Sequence, residues 1–132
     1  MRTISILLIA IMLAFPFAAS AHRLQPIYNA SNDIPIPAQG LPSDRMDVLI
    51  VEAGGGLHWT FERAEPGHLV ATYKVPKYTL VVDIRFDSKL WQISYKSSDG
   101  LREHDNEIHP TYNKLVRKLE SAITARLSNA RR

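Results

Sequence analysis

Between Leu57 and Lys96 the chain repeats one pattern four times, apolar residues at every second position with a short turn after each run. Leu57, Trp59 and Phe61 alternate with His58, Thr60 and Glu62. After Ala64-Glu65-Pro66-Gly67, Leu69, Ala71, Tyr73 and Val75 alternate with His68, Val70, Thr72 and Lys74. Pro76-Lys77 leads into Tyr78, Leu80, Val82, Ile84 and Phe86, interleaved with Thr79, Val81, Asp83 and Arg85. After Asp87-Ser88-Lys89 come Trp91, Ile93 and Tyr95, interleaved with Gln92, Ser94 and Lys96. A period of two sends alternate side chains to opposite faces of a strand, and turns this short join only antiparallel neighbours. The segment predicts a four-stranded antiparallel meander, aromatic and aliphatic on one face and largely polar on the other.

Helical periodicity flanks this sheet on both sides. After Pro42, Ser43 can cap a helix with Asp44 in its first turn, and Met46, Leu49, Ile50 and Ala53 recur at helical spacing until Gly54-Gly55-Gly56 stops it. Val48 and Val51 lie off that stripe, which predicts cover on a second side. Ser97 to Glu107 reads as a loop. Beyond it Tyr112, Leu115, Val116, Leu119, Ile123 and Leu127 form the apolar stripe of a last helix. Two helices with one stripe each and a sheet with one apolar face predict an α+β sandwich over residues 43–132, in the order α-β-β-β-β-α, with both helices on the apolar face.

The N-terminal third has a different character. Arg2, an apolar run from Ile4 to Phe15 broken only by Ser5, then Pro16 and Ala19-Ser20-Ala21, have the layout of a secretory signal peptide over residues 1–21. An uncleaved anchor helix is the competing reading, but the run is short for a membrane span. Cleavage leaves 132 − 21 = 111 residues and, with Arg2 gone, 15 Lys+Arg against 13 Asp+Glu, a net charge of +2. So small an excess is no nucleic-acid signature. Four prolines between Arg23 and Pro42 forbid a helix, so residues 22–42 are expected to form an extended arm. Leu24, Ile27, Tyr28, Ile34 and Ile36 make it too apolar for a pure linker, and part of it should lie against the domain. Asn29-Ala30-Ser31 matches a glycosylation sequon that matters only in a eukaryotic host. The chain has no cysteine, which rules out disulfides, thiolate metal sites and a lipid-accepting thiol.

The order Trp59-Thr60-Phe61, Gly67-His68-Leu69-Val70-Ala71-Thr72, Val81-Val82-Asp83-Ile84-Arg85-Phe86, Ile93-Ser94-Tyr95-Lys96-Ser97-Ser98 and Ile108-His109-Pro110-Thr111-Tyr112-Asn113 resembles a family of small bacterial envelope proteins. Many members look like lipoproteins, and they have no assigned activity. The arm from Pro26 to Pro37 is similar to theirs as well. This chain departs in lacking the lipid-accepting cysteine, with Ala-Ser-Ala and His22 near its place. The resemblance implies an envelope location and supplies no catalytic residues.

The densest chemistry is His109, Tyr112 and Asn113 at the start of the last helix. Proline suits the first helical position because its missing N–H is not needed there, which makes His109 the cap residue. Asn113 lies on the same flank, and the Tyr112 hydroxyl is expected to find a partner at the sheet edge. The competing reading makes the three residues a ligand or catalytic site, but the sequence offers neither a nucleophile nor a fixed carboxylate beside them. A helix start pinned by local hydrogen bonds is the expectation.

Asp83 and Arg85, beside Val70 and Val81, mark either a solvated sheet face or a partner-docking surface. His104, Asp105, Glu107 and His109 could ligate a metal, but their spacing matches no zinc or calcium pattern, and a solvated acidic loop is expected. His22, if N-terminal, could chelate copper with His58, His68 or His109. A surface histidine at a chain terminus is the plainer reading. Lys114, Arg117, Lys118, Arg126, Arg131 and Arg132 oppose Glu120 alone, as a solvated basic face or as a contact for anionic envelope lipids or polymers.

No serine elbow, paired-carboxylate motif or phosphate-binding glycine loop occurs, and Gly54-Gly55-Gly56 follows a helix instead of opening one. The sequence therefore points to a non-catalytic exported envelope protein, periplasmic or secreted. It would bind an envelope protein or an anionic envelope component, with no cofactor, no nucleic acid and no membrane span after processing. The alternative is a small periplasmic hydrolase or metal-binding protein using His109, Tyr112 and Asn113. Mass spectrometry of the periplasmic fraction should find His22 as the first residue. A membrane-bound product retaining Met1 would contradict both export and cleavage.

Overall fold

The computed structural model describes residues 23–34 and 41–130. The expected signal peptide, His22, Ile36, Arg131 and Arg132 lie outside the described residues. Among the described residues two helices, α1 (Ser43–Gly55) and α2 (Pro110–Asn129), accompany seven strands: β1 (Gln25–Pro26), β2 (Ala30–Asp33), β3 (Thr60–Glu65), β4 (His68–Val75), β5 (Tyr78–Phe86), β6 (Leu90–Asp99) and β7 (Glu107–Ile108). The main sheet has five strands in the order β2-β6-β5-β4-β3, every pair antiparallel, and β1 pairs with β7 in a separate short ribbon.

The α+β class stands, and the sheet is larger than the four strands expected. β3 to β6 follow one another as neighbours, while the fifth strand comes from the arm. Ala30 pairs with Ile93 and Asp33 with Leu90, and the Ile34 N–H donates to the Lys89 carbonyl at 2.7 Å. The arm is thus part of the sheet's hydrogen bonding and covers the edge that β6 would otherwise present.

Alternation holds along the central strands. Leu69 and Ala71, Leu80, Val82, Ile84 and Phe86, and Trp91 and Ile93 are all buried. They join Met46, Leu49 and Ile50 of α1 and Tyr112, Val116, Leu119, Ile123 and Leu127 of α2 in one continuous core.

Several local expectations need correction. Ser43 is the first helical residue, not the cap; Pro42 takes the cap position without a side-chain bond, and its carbonyl accepts the Met46 N–H at 2.9 Å. Val51 packs partly against the core, but Val48 is exposed, so the second side of α1 is not fully covered. Leu57 to Trp59 do not begin a strand. Their three amides fold back onto the last carbonyls of α1, Trp59 N–H to Gly54 O at 3.0 Å, and His58 takes a left-handed φ of 71°. Trp59 is nonetheless buried, with its ring centroid 5.5 Å from that of Tyr73. Gly54 lets the Phe61 ring pack against α1, since a Cβ there would sit 2.3 Å from that ring and displace it.

Ser97 to Glu107 is more than a loop. β6 runs on to Asp99, and Leu101 is buried. His104 and Glu107 exchange two backbone hydrogen bonds of 2.9 Å around Asp105 and Asn106, both at positive φ. Short polar Asp and Asn side chains tolerate that conformation best after glycine, as tight hairpins require. The Asn106 carbonyl then accepts the Ile27 N–H at 3.0 Å, which docks the arm.

Trp91 and Trp59 are each at least 96% removed from solvent. Replacing either by alanine should cost about 3–5 kcal/mol, a large share of a small domain's stability. Chemical denaturation checks this, and near-parental stability of both variants would mean the core face is wrongly assigned.

Candidate functional site

The structure separates the candidate residues into two places. His109, Tyr112 and Asn113 sit together at the start of α2, and Asp83 and Arg85 lie on the sheet face turned away from the helices.

At the start of α2, His109 is the N-cap, and its Nδ1 accepts the Thr111 N–H at 3.1 Å with Pro110 at the first helical position. An imidazole nitrogen does here what a serine or aspartate oxygen usually does for the orphan amides of a first turn. The His109 N–H donates to the Leu101 carbonyl at 2.9 Å, so both sides of the residue are engaged.

Asn113 is only 6% exposed and faces the arm. Its Oδ1 accepts the Tyr28 N–H at 2.9 Å, and its Nδ2 donates to the Pro26 carbonyl at 2.9 Å and to Gln25 Oε1 at 3.3 Å. Two turns along α2, Glu120 continues the clamp, accepting from the Tyr28 hydroxyl and from Asn32 Nδ2, each at 2.6 Å. The Arg117 guanidinium lies 3.9 Å from the centre of the Tyr28 ring. The hydrogen bond to Glu120, followed by burial, raises the Tyr28 phenol above its ordinary value of 10.0.

Tyr112 behaves differently from its neighbours. It is fully buried, packs edge-on to Tyr95 at 5.5 Å between centroids, and its hydroxyl has no hydrogen-bond partner among the described residues. The expected partner at the sheet edge is not found among the described residues; the nearby Tyr95 hydroxyl pairs with Ser98 Oγ at 2.9 Å. Burial pushes the Tyr112 phenol far above the ordinary range.

On the open sheet face, Asp83 is the anomaly. It points to the side opposite the core yet is only 7% exposed. His68 Nε2 lies 2.7 Å from Oδ1, Lys96 Nζ 3.7 Å from the same oxygen, and Arg85 Nη1 3.8 Å from Oδ2. A carboxylate shielded from water is costly unless charge and hydrogen bonds compensate it, and these three groups do so. The strand register brings them together: His68 is opposite Arg85 and Val70 opposite Asp83. On the other side a bulge sets Val81 against Ser97 and Val82 against Tyr95, leaving Lys96 as the extra residue between them.

Sequence alternation assigns His68 and Lys96 to this face but does not bring them to Asp83; the cross-strand register and the bulge do. Tyr28, Asn32 and Glu120 carried no warning either, since their contacts span about 90 residues, 92 and 88 respectively.

His104 and Asp105 touch at 3.0 Å in an exposed position, and among the described residues no three His, Asp or Glu side chains gather in a geometry that could hold a metal ion. Among the described residues, too, no helix is long and apolar enough to cross a membrane. Comparison with protein-family profiles, with curated proteins and with solved structures finds no match for this chain.

This geometry predicts opposite outcomes at adjacent residues. Tyr112→Phe removes only an unpaired buried hydroxyl and should leave stability unchanged or raise it, whereas Tyr112→Ala should cost about 3–5 kcal/mol through lost volume. Asn113→Ala removes the partner of the Tyr28 N–H and of the Pro26 carbonyl, both within reach of water, at about 0.5–1.5 kcal/mol for each hydrogen bond lost. Thermal melting of the three variants checks the order. A Tyr112→Phe variant as damaged as Asn113→Ala would mean the hydroxyl is bonded after all.

Proposed function

We propose that this chain is a non-catalytic exported protein of the bacterial envelope, a binding or accessory module that docks a protein partner on its open sheet face. The observation that carries the reading is the screened Asp83 with Arg85 and Lys96 beside it. One carboxylate holds two permanent cations and a histidine, so the end of the patch around Asp83 keeps a positive excess, while Glu62 stands opposite Val70 at its far side. Arg85 and Lys96 remain about half exposed, with donors left over for a partner. Partly buried Val70 and Val81 lie among them. A small apolar centre ringed by pre-positioned charge suits transient recognition of an acidic protein surface, where charge governs capture and specificity more than area does.

The resemblance to small envelope proteins and the signal-peptide layout support the location. The alternative, hydrolysis or metal binding at His109, Tyr112 and Asn113, draws no support from that corner. The His109 Nδ1 and the Asn113 amide are spent on the helix and the arm, and Tyr112 is sealed from solvent.

Affinity capture from a bacterial envelope extract tests the reading, with the parent protein and an Arg85→Gln/Lys96→Gln variant as baits. The parent should retain a protein that the variant releases. The variant should melt lower, because shielded Asp83 loses two cations, but should stay folded at the capture temperature, since His68 still holds Asp83. Equal retention by both baits would remove the sheet face from the proposal.

A further inference from the structure

The outer flank of α2 carries a second surface, unrelated to Asp83. Lys114, Arg117 and Lys118 fall at positions i, i+3 and i+4, and therefore on one side of the helix, with Ser121 and Ala122 a turn further on. Leu57 lies against this flank because its N–H is tied to the Gly54 carbonyl at 2.9 Å as the chain leaves α1. Together the six residues line a shallow open groove of about 570 Å³. No carboxylate lines it. Glu120, the one acid in α2, turns to Tyr28 and Asn32, and Glu52 of α1 pairs with Arg126. Lys114 and Lys118 have no ion-pair partner among the described residues.

A solvated basic helix face would account for the cations. It would not account for an apolar floor between them, built from Leu57, Ala122 and the lysine stems. Two flexible lysines above apolar surface, with Arg117 held beside them over the Tyr28 ring, match an occupant with phosphate on its outside and hydrocarbon beneath, since lysine stems lie along apolar material while their ammonium groups reach the headgroups. An anionic polysaccharide would use the charges and leave the floor without a role. Among the described residues no helix is long and apolar enough to cross a membrane, so such binding would be peripheral and reversible.

We propose that the groove of Leu57, Lys114, Arg117 and Lys118 docks the protein on an anionic phospholipid surface. The groove lies on the helix layer and the Asp83 patch on the opposite side of the sheet. A membrane-docked molecule therefore keeps its sheet face free.

Co-sedimentation with vesicles of one part phosphatidylglycerol to two parts phosphatidylcholine tests this, using the protein as recovered from cells with its first residue determined. The parent should sediment at low ionic strength and be released as salt shortens the screening length. Each lysine near an anionic surface is worth about a five-fold change in partitioning, so Lys114→Gln/Lys118→Gln should lower it roughly 30-fold. Leu57→Ser should lower it further at constant charge. Arg85→Gln/Lys96→Gln should sediment like the parent, which keeps this test separate from that of the sheet face. Melting midpoints within error of the parent show that the exposed-lysine variants are folded. Equal sedimentation of the double-lysine variant and the parent would overturn the proposal. So would equal binding to pure phosphatidylcholine, or retention by soluble dextran sulfate without sedimentation on vesicles.

Discussion

A single buried amide, the side chain of Asn113, joins the beginning of the described chain to its last helix. Its carbonyl oxygen takes the Tyr28 N–H, and its nitrogen gives hydrogen bonds to Pro26 and Gln25, all across more than 80 residues of sequence. Extended backbone against a core needs partners for its polar groups, and a proline-rich arm makes few of its own. Asn113 supplies both a donor and an acceptor at the point where β1 ends and the chain turns toward β2. From there the direction of the arm is fixed. β2 lands on the edge of β6 with Ala30 opposite Ile93, and Glu120 fastens Tyr28 and Asn32 on either side of it. His109 sets the start of α2, and with it the angle at which Asn113 meets the arm.

From that constraint follows a molecule with two unlike sides. Once α1, α2 and the arm close over the apolar face, Leu69, Val82, Ile84, Trp91 and Ile93 are sealed in, and function can reside only on the outside. The sheet's other face is unburdened by the core and carries an aspartate that folding alone would not select. Threonine or serine would occupy position 83 without the cost of screening a carboxylate. The helix layer, in turn, engages Asp47, Glu52 and Glu120 and leaves lysines beside an apolar groove. Both surfaces suit binding, and neither brings a nucleophile to a base.

The sequence made the central strands and α2 legible because their periodicities are long and clean. Tyr78 to Phe86 alternates over nine residues, and the stripe from Tyr112 to Leu127 keeps helical spacing over about four turns. β2 was illegible because it is four residues long, Ala-Ser-Asn-Asp, and its inward positions are an alanine and a half-buried asparagine. Its strand character comes entirely from β6. Leu57 to Trp59 matched a strand by alternation and lost to the end of α1, whose free carbonyls captured three successive amides. The polar neighbours in Ile108 to Asn113 could be read as a helix start, which is how His109 is placed. That Asn113 would reach the arm while Tyr112 sealed its hydroxyl inside depends on which flank meets which element, and spacing alone does not carry that. Asp83 and Arg85 were visible as a charged pair beside valines. His68 and Lys96 joined them only through register and a bulge.

The start of α2 is the fastening point of the arm. Native-state hydrogen exchange of an Asn113→Ala variant, read amide by amide, tests it most directly. Protection should fall first at Ile27, Tyr28 and β2, while β4 and β5 keep the protection of the parent. A variant whose arm amides exchange no faster than the parent's, or whose protection falls equally in every strand, would contradict it.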